Sequence, residues 1–69
     1  MNYVIFRNQI NFDLVEAEEF YFCGTNAEGK DEFTSVKSMA AQFSSMKEAR
    51  KYMSRIRKNS NVMVYIKEA

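Results

Sequence analysis

The side chains best able to do chemistry in this chain are Cys23, the carboxylates Asp13, Glu16, Glu18 and Glu19, and a cluster of cations between Lys47 and Lys58. A thiol acts as a nucleophile only as the thiolate, which needs a neighbouring base or cation. Cys23 has no histidine anywhere in the chain to serve it and no lysine or arginine beside it, so it is read as a structural thiol. A single cysteine forms no intrachain disulfide, and without histidine the scattered carboxylates make no zinc-type cluster. The acidic run lacks the Asp/Asn-Gly alternation of a calcium loop. Gly24 and Gly29 are not followed by the Lys-Ser/Thr pair that completes a phosphate loop. No catalytic residue, metal ligand or cofactor site is assigned, and the expectation is a protein that is not an enzyme.

What remains is chemistry of binding. Residues 1–36 carry two basic and seven acidic side chains, a net of −5; residues 37–69 carry eight basic and two acidic, a net of +6. The near-neutral total thus hides a dipolar chain, which points to charged partners. Lys47, Arg50, Lys51, Arg55 and Lys58 are the candidate basic partner-binding face. Asp13, Glu16, Glu18 and Glu19 are the candidate acidic one, as a solvated loop or as a dock for another molecule's basic helix.

A helix must carry the basic face. Ser45 followed by Glu48 has the spacing of a capping box, in which each side chain satisfies a free backbone N–H of the first turn. From Met46 to Lys58 the residues Met46, Ala49, Tyr52, Met53 and Ile56 recur at three and four and fill one arc, with the cations and Ser54 opposite. Basic residues late in the helix also face its negative dipole end. Asn59 is the candidate left-handed cap. Ahead of the helix, Met39-Ala40-Ala41 is compatible with one helical turn, and Phe43 is placed to anchor the helix start.

The other elements read as strands. Tyr3-Val4-Ile5-Phe6 is a β-branched and aromatic run, and Ile10, Phe12 and Leu14 then alternate with Asn11 and Asp13. The two runs form either a hairpin turned at Asn8-Gln9 or one bent strand. Glu16 to Glu19 is a connection or a charged strand edge. Phe20 to Cys23 and Phe33 to Val36 pair as a hairpin across a loop holding Asn26 and both glycines, residues that accept positive φ. Val62 to Ile66 closes the chain. The expectation is one α+β domain over residues 1–69, in β-β-β-β-α-β order, with three to five mainly antiparallel strands and the amphipathic helix on one face.

One helix covers one face of such a sheet, yet the strands are apolar on both. With the aliphatic and Phe sides against the helix, the second face would show Tyr3, Ile5, Tyr21, Met63 and Tyr65. Tyr3, Tyr21, Met63 and Tyr65 are therefore a candidate interface, since Tyr- and Met-rich patches have interface composition. A homodimer through that face or through an edge strand is expected to help a chain of 69 residues, whose core typically supplies only ~3–5 kcal/mol. A base-stacking sheet like that of RNA-recognition domains needs two helices and a glycine-aromatic signature, and neither is present.

The opening residues show no signal pattern and no apolar run approaches a membrane span, so a cytoplasmic protein without membrane partners is expected. The stretch Ala41-Gln42-Phe43-Ser44-Ser45-Met46-Lys47-Glu48-Ala49 resembles an element of small phage-encoded accessory proteins. In those an opening strand comes first, an Ala-x-Phe-Ser-Ser element introduces a Glu-Ala-rich helix, and a final strand ends the chain. The resemblance implies the fold and a viral or mobile-element origin, hence a host cytoplasm, and carries no active-site residues. The functional expectation is a non-enzymatic protein-interaction module, such as a host-factor inhibitor acting on a defence or nucleic-acid-processing component. The alternative is a nucleic-acid-binding module that uses the basic face of helix 46–58.

Overall fold

The computed structural model describes residues 1–11 and 16–69, and for residues 9–11, 16 and 17 the backbone alone. The described chain is a two-layer α+β domain. Strands β1 (Tyr3–Asn11), β2 (Glu16–Thr25) and β3 (Asp31–Thr34) precede helix α1 (Met46–Ser60), and β4 (Tyr65–Glu68) follows it. The sheet order is β3-β2-β1-β4, and every neighbouring pair is antiparallel. No helix among the described residues is long and apolar enough to cross a membrane.

The strand count falls inside the expected range, and the order differs by one element. Asn8 and Gln9 do not turn: they lie within β1, so the opening run and the start of the alternating run are one strand. A two-residue type I′ hairpin needs positive φ at both central residues, and Gln9, unlike an asparagine or glycine, does not adopt it cheaply. Glu16 to Glu19 belongs to β2, paired with Asn8 to Asn11. The alternating positions Phe12, Asp13 and Leu14 lie outside the described residues.

The β2–β3 hairpin closes where the glycines predicted it. Gly29 has φ 81°, and the Asn26 carboxamide oxygen accepts from the N–H groups of Glu28 and Lys30. Strand β2 runs past Cys23 to Thr25, because a bulge between Phe22 and Gly24 lets pairing resume at the glycine (φ 146°), opposite Glu32. The return strand starts two residues earlier than Phe33 and ends at Thr34.

Helix α1 begins at the predicted cap with one half of the predicted box: Ser45 is extended, and its hydroxyl accepts from the Glu48 N–H at 3.2 Å. The Glu48 carboxylate accepts from the Ser44 hydroxyl at 3.3 Å. At the other end the left-handed cap is Asn61 (φ 52°, ψ 39°) and not Asn59. Asn59 stays helical because its carboxamide donates to the Gly29 carbonyl (2.9 Å), while the Ser60 hydroxyl donates to Asp31 (2.7 Å). These contacts hold two more helical residues against the hairpin. The helical turn expected at Met39-Ala40-Ala41 is displaced: a 3-10 turn occupies Lys37–Met39, and Ala40 is already extended (φ −68°, ψ 145°).

The core lies between α1 and the sheet. Ile5, Phe22, Phe43, Ala49, Ile56 and Val64 are buried together, with Tyr3, Phe33, Ala41, Met53, Val62 and Ile66 packed around them. Phe43 does more than anchor the helix. Past the Phe6–Tyr21 pair, β1 and β2 diverge, and residues 41–43 fill the gap. Ala41 donates to the Phe22 carbonyl at 2.9 Å, and Tyr3 and Phe43 exchange both backbone bonds at 2.8 Å. The wedge gives backbone groups of both strands partners that the sheet cannot.

Candidate functional site: a basic helix face and a capped aromatic sheet face

The stripe expected to pack inward does so: Ala49 and Ile56 are buried, Met46 and Met53 half-buried. Tyr52 lies at the rim, its ring centroid 5.0 Å from that of Phe43 and 6.4 Å from that of Phe22. Lys47, Arg50, Lys51, Arg55 and Lys58 are all exposed, as are Ser54 and Arg57. Among the described residues no carboxylate lies within ion-pair distance of any of these cations, the one ion pair being elsewhere. Six cations lie within twelve positions, and none forms an ion pair with a described carboxylate.

Two of the cations are held in place. Arg55 donates to the Thr25 hydroxyl at 2.9 Å, with its guanidinium carbon 4.9 Å from the centre of the Tyr52 ring. Thr25 donates onward to Asp31 at 3.1 Å, the carboxylate that Ser60 also engages. Arg57 donates to the Val64 carbonyl at 3.0 Å. A shallow groove lined by Glu48, Lys51, Tyr52, Arg55 and Lys58 runs along the helix. It continues through Arg55 and Lys58 to Thr25, Gly29 and Asn59 at the hairpin turn. The arrangement suits anionic groups presented along ~22 Å, the length of a 15-residue helix.

The acidic candidates do not form one patch. Glu18 and Glu19 are successive residues of β2, so the pleat sends them to opposite faces. Asp13 and the Glu16 side chain lie outside what the structure describes. Glu19 is engaged locally, since its carboxylate accepts from Lys67 at 2.5 Å and from the Tyr21 hydroxyl at 2.7 Å.

These bonds lie on the sheet face opposite the helix, whose membership corrects the candidate interface. Register places Phe6 beside both Tyr21 and Tyr65, and Ile5 beside Ile66. Since Ile66 and Val64 serve the core, Tyr3 and Ile5 must point toward the helix, and they do. Phe6, expected on the helix side, is on the second face instead. Tyr21 is there but buried. Met63 is exposed in the connection before β4, outside the sheet. Tyr65 alone of the four is an exposed residue of that face, its ring 5.7 Å from Phe6.

Lys67 closes the cluster, with its ammonium nitrogen 4.8 Å from the centre of the Phe6 ring and 5.3 Å from that of Tyr21. Its apolar stem covers rings while its charge meets Glu19. Sequence reasoning missed this residue, although the two-residue period of β4, continued past Ile66, puts Lys67 on the side of Tyr65. On the helix side of the sheet, Arg7 lies 5.4 Å and 5.1 Å from the ring centres of Phe20 and Phe33.

Hydrogen bonds from Lys67 and then from Tyr21 hold the Glu19 carboxyl below its ordinary value of 4.5. The same contacts raise Lys67 and the Tyr21 phenol, each chiefly through its bond to Glu19. A carboxyl lowered on folding adds stability above its unfolded pKa and loses it as pH falls through the folded one. Wild-type protein is therefore expected to lose more stability than Glu19→Gln between neutral pH and about pH 3. Urea midpoints at both pH values check this, and parallel losses would show that the triad contributes nothing.

Cys23 is exposed, its thiol 3.3 Å from the Glu32 carbonyl oxygen. Among the described residues no three histidine, cysteine, aspartate or glutamate side chains stand together as metal ligands. Comparison of the chain with protein-family models, curated proteins and solved structures finds no match.

Proposed function

We propose that this chain is a non-enzymatic binding module whose basic helix face docks on an acidic protein surface. The observation that supports it is the exposed row Lys47, Arg50, Lys51, Arg55 and Lys58, none of them in an ion pair with a described carboxylate. An outward row of like charges repels itself, and an acidic partner relieves that repulsion while steering encounter. A net charge of +1 gives little long-range pull toward a polyanion, which favours a compact acidic surface over nucleic acid. The resemblance to phage accessory proteins supports a host protein as that partner, with inhibition as the consequence of covering its surface.

Affinity capture from nuclease-treated lysate at low salt tests the reading. The wild-type chain is expected to retain a specific protein that the Lys51→Glu/Arg55→Glu/Lys58→Glu variant loses. Equal recovery by both would overturn it.

One observation favours nucleic acid as the second reading: Tyr52 is half-exposed between Lys51 and Arg55, the pairing of ring and cations on which single-stranded bases stack. Phosphate contacts are strongest at low salt, so anisotropy of labelled single-stranded and duplex probes at about 50 mM salt decides it. No binding there removes nucleic acid from consideration.

A further inference from the structure

The sheet has a step in it. Strand β4 pairs with β1 only from Tyr3 to Phe6, and β3 pairs with β2 only from Tyr21 to Thr25. From Arg7 to Asn11, and from Glu16 to Phe20, β1 and β2 continue as a two-stranded ribbon. Along a strand, the N–H and C=O of successive residues point to opposite edges. Asn2 accepts from Ala69 on the β4 side, whereas Tyr3 exchanges its bonds with Phe43 on the β2 side. By this alternation, Asn8 and Ile10 direct their backbone groups to the β4 side, where no strand among the described residues accompanies them. On the far edge of the ribbon the same holds for Ala17 and Glu19.

The two free edges differ in charge. The β2 stretch holds Glu16, Glu18 and Glu19, and charged residues are how edge strands avoid pairing with one another. Strands β3 and β4 are guarded likewise by Asp31 and Glu32, and by Lys67 and Glu68. The β1 stretch Arg7-Asn8-Gln9-Ile10-Asn11 holds one charge, and that guanidinium lies over Phe20 and Phe33.

We infer that the β1 edge is a self-association site, its occupant the same edge of a second copy about a two-fold axis. With Gln9 opposite Gln9 of the second copy, Asn8 faces Ile10 of the second copy, and each pair exchanges both backbone bonds. Every edge-directed N–H and C=O of Asn8 and Ile10 is then satisfied. In that lane Asn11 lies opposite Arg7 of the second copy, and the place opposite Phe6 is held by Tyr65. The same arrangement on β2 would set Glu18 against Glu18, a like-charge pair directly opposite, which is destabilising. A two-fold axis between directly opposed antiparallel residues is normal to the sheet. Both helices therefore lie on one side of a continuous sheet, their basic faces outward.

Sedimentation equilibrium from about 1 µM to about 1 mM tests the site. The chain is expected to pass from 8.1 kDa to twice that mass. Asn8→Pro removes only an edge-directed N–H, a position where strands tolerate proline, and is expected to stay monomeric with an unchanged circular dichroism spectrum. Ala17→Pro, the equivalent change on β2, is expected to dimerise like wild type. A monomeric wild type, or an Asn8→Pro that dimerises as well as Ala17→Pro, would overturn the site.

Should Asn8→Pro fail to fold, cross-linking decides. Opposed residues of a non-hydrogen-bonded antiparallel pair have Cα atoms ~4.5 Å apart, inside the ~4.4–6.8 Å reach of a disulfide. In a Cys23→Ser background, Gln9→Cys is expected to form a covalent dimer under copper-phenanthroline oxidation, and Glu18→Cys is not. Equal cross-linking of the two, or none, would refute the interface.

Discussion

Replacing Ile56 by alanine is expected to leave the chain largely unfolded at room temperature. Ile56 is fully buried at the centre of the α1 contact with the sheet, in a cluster with Ile5, Phe22 and Val64. Truncating a buried isoleucine to alanine removes ~2–5 kcal/mol through lost transfer energy and the cavity left behind. A core of this size supplies only ~3–5 kcal/mol in total. The two numbers are comparable, so the folded population collapses. No disulfide offsets the loss, since Cys23 is free. Far-ultraviolet circular dichroism and a urea titration measure it. Lys47→Ala on the exposed face is the contrast, expected to stay within ~0.5 kcal/mol of wild type. Equal behaviour of the two variants would mean that the helix is not docked by this stripe.

Phe43→Ala is expected to be comparably severe for a different reason. The ring stacks against Phe22 and Tyr52, and truncation of a buried phenylalanine costs ~3–5 kcal/mol. The backbone of the same residue closes the gap between the diverging ends of β1 and β2 through its bonds with Tyr3. Loss of the ring thus removes what holds the wedge in place, and Tyr3 and Ala41 lose partners with it. The milder Phe43→Leu isolates this effect. In hydrogen exchange its Tyr3, Ala41 and Phe43 amides are expected to exchange faster than in wild type, while Ile56 within the helix stays protected. Uniform loss of protection would show that the wedge has no stability of its own and opens only with the whole domain.

The helix was legible because its signals are local. Ser45 and Glu48 contact the same first turn, and the Met46–Ala49–Met53–Ile56 spacing is a property of one helix. The same is true of the hairpin turn at Asn26 and Gly29, where side chain and φ act within a few residues. The basic row Lys47 to Lys58 followed directly from the wheel. These are short-range constraints, and the sequence carries them in full.

Which face each strand turns to the helix is decided elsewhere. Tyr3-Val4-Ile5-Phe6 is apolar on both sides, so its two-residue period is symmetrical and does not choose. Pairing with Tyr21 and Tyr65 chooses, because a partner already oriented by Phe22 or Val64 fixes Phe6 on the second face. The expected grouping of Tyr3 with Tyr65 fails for this reason, and the grouping of Glu18 with Glu19 fails by the pleat. Asn59 was displaced as cap because Gly29 and Asp31, about thirty residues away in sequence, hold it in the helix. The union of Glu19, Tyr21 and Lys67 likewise joins residues 48 positions apart.

By itself the sequence determined the α+β class, the helix with its inward stripe and outward cations, and the hairpin turn. Only the tertiary structure decided the sheet order, the face of every strand, the wedge of Phe43, and the step that leaves Asn8 and Ile10 at an open edge. The physical division is one of range. Caps, turns and helical periods are energies between near neighbours. Register and edge exposure depend on which distant strand arrives alongside, and on where it stops.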